Sequence, residues 1–286
     1  MQAAIEKNIA IVCNELAGVG KSVALGEKIV SELKKRQIAY SLFKESWPAD
    51  FHQFTDIWIS GGDGTLNYFV NQYPDIELPL VIFNGGTGND FHWLLYGKMG
   101  FEQQIDLALT VEPRPIDLGK CNERYFLNDA GIGFEAAVAK ALTGKKKKAG
   151  KASFMIMVLK KIFSYRSQSY HIWADERSIG VKRYMIVDVN NGSRAGGGFH
   201  VAPEAKADDG LLDLILINAL HPFQRLRWLP VIEKGKHLSR PFISYFKTKK
   251  VVIESDQLIH THLDGEYYCA ERMEIMILPG KLSFRY

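Results

Sequence analysis

Apolar positions in the first third of the chain follow two periods in turn. NIAIVC (8–13), IAYSLF (38–43), TDIWIS (55–60) and PLVIFN (79–84) are short, nearly unbroken runs, the pattern of strands buried on both faces. Between them the spacing changes to three and four. Val23, Ile29, Val30 and Leu33 mark a helix over 22–36, and Leu66, Phe69 and Val70 mark another over 65–72. Strands alternating with helices predict a parallel sheet with helices on its faces. In such sheets ligands bind at the carboxyl ends of the strands. Three glycine-bearing turns fall there: NELAGVG (14–20), GGDGT (61–65) and GGTGND (85–90).

Near residue 119 the pattern changes. After helix-like pieces at 131–143 and 152–165, runs of strand character dominate: 168–174, 181–189, 211–217, 249–254, 258–264 and 273–278. The expectation is an α/β chain of two domains, a Rossmann-like nucleotide domain over 1–118 and a mainly β domain over 119–286. No internal repeat is visible. The one biased tract is GKKKKAGK at 144–151.

Composition adds limits. The 286 residues are 47% hydrophobic and 24% charged, an ordinary globular balance. A formal charge of +4 suits an anionic ligand or a membrane surface and is too small to argue for nucleic acid. Cys13, Cys121 and Cys269 are far apart and form no CxxC, so neither a zinc motif nor a disulfide framework is readable, and a reducing cytoplasm is expected. No signal region opens the chain, and no apolar run approaches the ~18 residues of a membrane span. FMIMVLKKIF is interrupted by lysines, so this chain would meet lipid from the side.

The chemistry concentrates in the turns. Glycines let backbone approach a ligand closely, and successive N–H groups at a helix start make an anion site. A carboxylate such as Asp63 would repel a phosphate there unless a divalent cation lies between them; otherwise it serves as a helix cap. GGTGND repeats the design after the next strand, with Asn89 or Asp90 as alternative caps. Two such turns converging on one crevice favour phosphate plus metal. GVGKS at 18–22 is no Walker motif, because the glycine needed five residues before Gly20 is Glu15. The Asp264-Gly265-Glu266 and Asp208-Asp209-Gly210 groups each suit a polar turn as well as a site. His260 and His262 alternate along a strand, share a face, and read as surface residues rather than metal ligands. Lys145, Lys146, Lys147 and Lys148 precede an apolar segment, an arrangement that can hold an anionic bilayer.

SGGDGTLNYFVN, GGTGNDF, YFLNDAGIGFEAAVAK, GGGFHVAPEAKADDGLLDL and HLDGEYY, in this order, resemble the signatures of the bacterial diacylglycerol kinase-like lipid kinases, the family that includes sphingosine kinases. The resemblance covers nearly the whole chain. GGDGT alone is shared with NAD kinases; GTGNDF together with DDGLLD and DGE is more specific. The resemblance implies an α/β nucleotide domain, a β-sandwich-like domain, and an active site in the cleft between them. It implies that Asn14, Gly62, Asp63, Gly64, Thr65, Gly86, Thr87 and Asn89 bind ATP or shape its site. It further implies that Asp63, Asp90 and Asp117 surround the nucleotide's Mg²⁺, and that Glu266 is general base for a lipid hydroxyl, most simply diacylglycerol. Asp209 with the Lys206 and Leu211 carbonyls resembles a structural Mg²⁺ site. A peripheral, membrane-associated enzyme and a homodimer are also implied. Two departures stand out: Asn14 is followed by Glu15 where the family has proline, and Asn84-Gly85 stand before GTGND where proline is usual. An NAD kinase is the alternative activity, and a nucleotide-binding regulator without catalysis is a third reading.

Overall fold

The computed structural model describes residues 6–15, 20–143 and 151–286. The tetralysine 145–148 lies outside them. The chain forms two compact units, one of residues 1–116 with 281–286 and one of residues 117–280. The last six residues, placed by the sequence in the second domain, therefore belong to the first.

The first unit holds β1 (Asn8–Cys13), α1 (Lys21–Lys35), β2 (Ala39–Phe43), β3 (Asp56–Gly61), α2 (Asp63–Gln72), β4 (Leu80–Asn84), α3 (Asp90–Tyr96) and α4 (Phe101–Thr110). Its strands run parallel in the order β2-β1-β3-β4. The order reverses between β1 and β3, which opens a crevice at their carboxyl ends. β3 is buried at every position and β1 at all but the first, because helices cover both faces. Trp58, Phe69 and Phe83 are fully buried or nearly so. Helix α4 is an element that the sequence pattern does not predict.

The C-terminal residues complete this unit. Phe284 pairs with Leu80 alongside β4, and its ring packs 5.4 Å from that of Phe91. Arg285 forms an ion pair with Asp56, a carboxylate with no solvent exposure, and donates to the Val111 carbonyl. Lys7 reaches the same carboxylate at 3.2 Å.

The second unit contains the later part of β5 (Arg114–Cys121), then β6 (Arg124–Phe126), β7 (Asp129–Gly133), α5 (Phe134–Leu142), α6 (Lys151–Ser164), β8 (Gln168–Ala174), β9 (Arg177–Asn190), β10 (Leu212–Asn218), α7 (Pro222–Glu233), β11 (Ile243–Thr248), β12 (Lys250–Leu263) and most of β13 (Glu266–Phe284). The long strands β9 and β12 each change partners midway. Both pair with β8 at one end and with β7 at the other, so the four strands close a ring. Ile132, Ile172, Val187, Val189, Ile253 and Leu263 belong to its apolar core. The other face of β7, β9 and β10 is covered by α5, α6 and α7, whose core includes Phe134, Val138, Ile162, Ile186 and Ile217.

Three expectations change. The helix-like piece 131–143 opens as strand β7 before α5 begins. Segments 249–254 and 258–264 are one strand, which passes the polar residues 255–257 through a register shift. Helix α7 adds an element the sequence pattern does not predict: Pro222 suits its first turn, but Pro230 stands inside it, where proline ordinarily breaks a helix.

Replacing Arg285 with alanine leaves the buried Asp56 with one cation fewer. The expected loss is about 3 kcal/mol of unfolding free energy, read as a lower urea midpoint than that of the wild type.

Candidate active site

The carboxyl ends of β3 and β4 carry the GGDGT and GGTGND turns. Their backbones nearly touch. A Cβ built on Gly86 would stand 2.4 Å from the Gly62 Cα, and one built on Gly62 would stand 2.7 Å from the Gly86 Cα. Only glycine fits at either position. The Gly85 N–H donates to the Gly61 carbonyl at 2.8 Å. Asn89, at a φ of 58°, folds its side chain back: its Oδ1 accepts from the Gly86 N–H and its Nδ2 donates to the Gly86 carbonyl, both at 2.9 Å.

Asp63 ties the turns together. It opens α2, yet its carboxylate serves α3: Oδ2 accepts the Asp90 N–H at 2.8 Å and Oδ1 accepts the Phe91 N–H at 3.0 Å. Burial pushes its pKa upward, and these N–H groups oppose the shift. The capping alternative is thus realised, but on the following turn rather than on its own helix. Asp90 is buried, as is Thr65, whereas Gly64 and Thr87 are exposed and Asn14 is half-buried. Ser22 Oγ accepts the Asn14 N–H at 3.1 Å and donates to the Ser60 carbonyl, while Ser60 Oγ donates to the Ser22 carbonyl at 2.7 Å. This reciprocal pair joins α1 to the ends of β1 and β3; two isolated serines gave no sign of it in the sequence. Glu15 is exposed. His92, held low in pKa by burial, contacts Gln104 at 3.2 Å and steadies α3.

Asp117, Asp209 and Glu266 belong to the second unit. Asp117 is buried, and its oxygens accept the N–H groups of Gly210 and Gly280, each at 2.7 Å. Its own N–H donates to the Ala207 carbonyl at 2.7 Å, so the 207–210 loop hangs on β5. Asn191, not singled out by sequence, donates to the Asp117 and Leu127 carbonyls at 3.0 and 2.8 Å. Asp264 and Gly265 both have positive φ, the two-residue hairpin turn that Asp-Gly favours. The Asp264 carboxylate accepts three N–H groups: Leu127 at 2.7 Å, Asn128 at 2.7 Å and Asp129 at 3.1 Å. Glu266 is exposed at the start of β13.

The expected structural Mg²⁺ site meets an obstacle. Asp209 Oδ2 lies 2.7 Å from Lys247 Nζ, and Oδ1 accepts the Leu211 N–H at 3.1 Å. A metal on this carboxylate, with the Lys206 and Leu211 carbonyls, would have to displace the ammonium. As the side chains stand, these residues fit a lysine rather than a magnesium ion.

The histidines correct another expectation. His260 and His262 share a face, but His262 is buried, and burial lowers its pKa to about 4. Around it stand Asp129, Glu135 and Asp188. Burial raises the carboxyl pKa values of Glu135 and Asp188, and the charge of Asp188 raises Glu135 further.

Comparison with known proteins agrees with both units. Residues 8–121 match the diacylglycerol kinase catalytic domain, and residues 129–285 match the YegS C-terminal NAD kinase beta sandwich-like domain. A Shewanella frigidimarina protein named "Probable lipid kinase YegS-like" is 31% identical over 232 residues, covering 79% of this chain and 74% of its own. The crystal structure of a diacylglycerol kinase from Bacillus anthracis shares the fold with a TM-score of 0.73 at 23% identity, covering 100% of this chain and 98% of its own. An Archaeoglobus fulgidus NAD kinase in complex with ATP shares it at 0.57 and 14% identity, covering 98% of this chain and 93% of its own.

A Gly86→Ala chain is expected to lose about 1–3 kcal/mol through backbone overlap. Gly100→Ala, whose added Cβ meets nothing nearer than 3.6 Å, should stay within about 0.5 kcal/mol of wild type. Thermal unfolding of the pair checks the contrast.

Proposed function

The chain belongs to the family of diacylglycerol kinase-like lipid kinases, and we propose that it transfers the γ-phosphoryl group of ATP, as the magnesium complex, to a lipid hydroxyl, diacylglycerol being the simplest acceptor. The observation that carries this reading is the pair of interlocked glycine turns at the ends of adjacent parallel strands, joined by Asp63. The glycines of these turns carry no side chain, which suits the approach of phosphates to backbone N–H groups.

The carboxylates fit a hydrated cation. Asp63 accepts the Asp90, Phe91 and Asn89 N–H groups and Asp117 those of Gly210 and Gly280, so each carboxylate keeps at least one lone pair for water. Magnesium retains several waters and takes few carboxylates. When bound, it neutralises the phosphate oxygens as charge redistributes during transfer. Asp63, Asp90 and Asp117 are the residues that would hold it through water. The N–H groups on Asp63 and Asp117 fix those carboxylates, so little reorganisation is needed when the nucleotide arrives. Glu266, exposed at the β12–β13 hairpin, takes the proton of the acceptor hydroxyl. Asp264 supports that role by bracing the same turn against residues 127–129.

A lipid acceptor requires access to a bilayer. No helix among the described residues is long and apolar enough to cross a membrane. Helices α6 and α7 instead expose Ile156, Leu159, Phe163, Phe223 and Leu226. The Phe163 and Phe223 rings meet edge to face, with centroids 6.3 Å apart. Arg225 locks the pair by donating to the Ile162 and Tyr165 carbonyls at 2.8 and 2.9 Å. Residues 136–174 contain eight lysines and one arginine and no acidic residue. An apolar ridge partly built from a basic segment suits the surface of an anionic membrane, with lysines 145–148 adding attraction.

The test of the reaction is labelled ATP with Mg²⁺ and total bacterial lipid in detergent, products being resolved by chromatography and mass spectrometry. The wild type yields a labelled lipid; Glu266→Ala lowers its rate by about 10²–10⁴-fold while unfolding at the wild-type temperature. Label appearing in NADP instead of lipid would reverse the assignment. For the membrane, a Phe163→Ser, Phe223→Ser chain should sediment less with phosphatidylglycerol vesicles than wild type. Its activity on a short-chain acceptor dissolved in detergent should be unchanged. Equal sedimentation would remove the ridge from the reading.

A further inference from the structure

The sheet of the second unit carries a buried group of side chains beneath α5 that the transfer reaction does not use. Register builds it. Gly131 of β7 lies opposite Asp188 of β9 on one side and His262 of β12 on the other. Alternation along β7 places Asp129 on the same face as Gly131, while Ala130 and Ile132 face the apolar core. Gly131 leaves a gap in this row. A Cβ there would stand 2.4 Å from His262 Nε2 and 2.6 Å from Glu135 Oε2, so both atoms descend onto the bare backbone of β7.

One ligand atom from each of Asp129, Glu135 and His262 lies within 4.8 Å of the others. The Asp129 Oδ2 to His262 Nε2 distance is 3.7 Å. Asp129, Asp188 and His262 are 2%, 3% and 8% exposed. Glu135 Oε2 and Asp188 Oδ1 are buried and accept no hydrogen bond from the described residues. Among the described residues, no lysine or arginine faces Glu135 or Asp188. Carboxyl groups gathered inside a protein without a cationic partner are costly. We propose that Asp129, Glu135 and His262 bind one divalent cation of the manganese–zinc class, with Asp188 facing the ion as a further carboxylate.

The donor set selects the class. Two or three carboxylate oxygens with one imidazole suit Mn²⁺ or Zn²⁺, whereas Mg²⁺ prefers oxygen and water alone. Neighbouring ligands about 2.1 Å from one ion stand about 3.0–3.6 Å apart, so the group closes on an ion with side-chain shifts of up to about 1 Å. Binding also moves a proton. The Gly265 N–H donates to His262 Nδ1 at 3.2 Å, which leaves the imidazole proton on Nε2. An ion on Nε2 transfers that proton to Nδ1, and Gly265 loses its acceptor. The site is thereby linked to the hairpin turn that precedes Glu266.

The experiment uses the full chain, stripped with a chelator that is then removed, and no nucleotide. Mn²⁺ and Zn²⁺ are titrated by calorimetry into the wild type, Glu135→Gln and His262→Gln, with thermal unfolding in parallel. The wild type is expected to bind one ion that both variants bind at least tenfold more weakly, and to unfold at a higher temperature with the ion than without it. Stripped Glu135→Gln should unfold no lower than stripped wild type, since it loses a buried acid. Electron spin-echo spectroscopy of Mn²⁺ on the wild type should show coupling to an imidazole nitrogen, a readout independent of whether the variants fold. No ion bound by the wild type, unchanged affinity in both variants, or no nitrogen coupling would overturn the proposal.

Discussion

The first unit of this protein depends on one close approach, the backbone of Gly62 against that of Gly86. Two parallel strands end side by side, and the turns leaving them must cross a space that admits no Cβ. That constraint fixes glycine at both positions and brings α2 and α3 to one place. The Asp63 carboxylate then holds the arrangement through the Asp90 and Phe91 N–H groups. A hydrogen bond to a charged group contributes about 1.5–3 kcal/mol, enough to help keep the two loops in register.

The same device recurs in the second unit. Asp117 accepts the N–H groups of Gly210 and Gly280, and Asp264 accepts those of residues 127–129. Each carboxylate gathers backbone from a loop remote in sequence. An acidic residue in these turns therefore braces loops through their N–H groups. Asp209 shows a limit of the pattern, because Lys247 already supplies its countercharge.

Much of the first unit was legible because its strands are buried on both faces and read as unbroken apolar runs. Helices α1 and α2 followed from the spacing of three and four. The second unit was harder. Strand β12 passes through polar residues 255–257 that resemble a loop, and α7 contains two prolines. Strand β7 and α5 are joined without a spacer, so Gly131 and Gly133 merged with the helix that follows. The turn motifs were visible as motifs. Which N–H groups their carboxylates would hold was not, since the partners lie 27 to 163 residues away.

The sequence by itself determined the alternation of strand and helix, the glycine-bearing turns at the strand ends, and the acidic residues set beside them, because these follow from local residue type and side-chain period. It also carried enough signature to expect a family and a class of reaction. Tertiary structure decided the rest. It returned the last six residues to the first unit, where Arg285 meets Asp56, and gave Asp63 to α3 rather than to its own helix. It also buried His262 beneath α5 beside Glu135. Each of these depends on strand register and on chain segments far apart in sequence, and neither is expressed in the local pattern of residues.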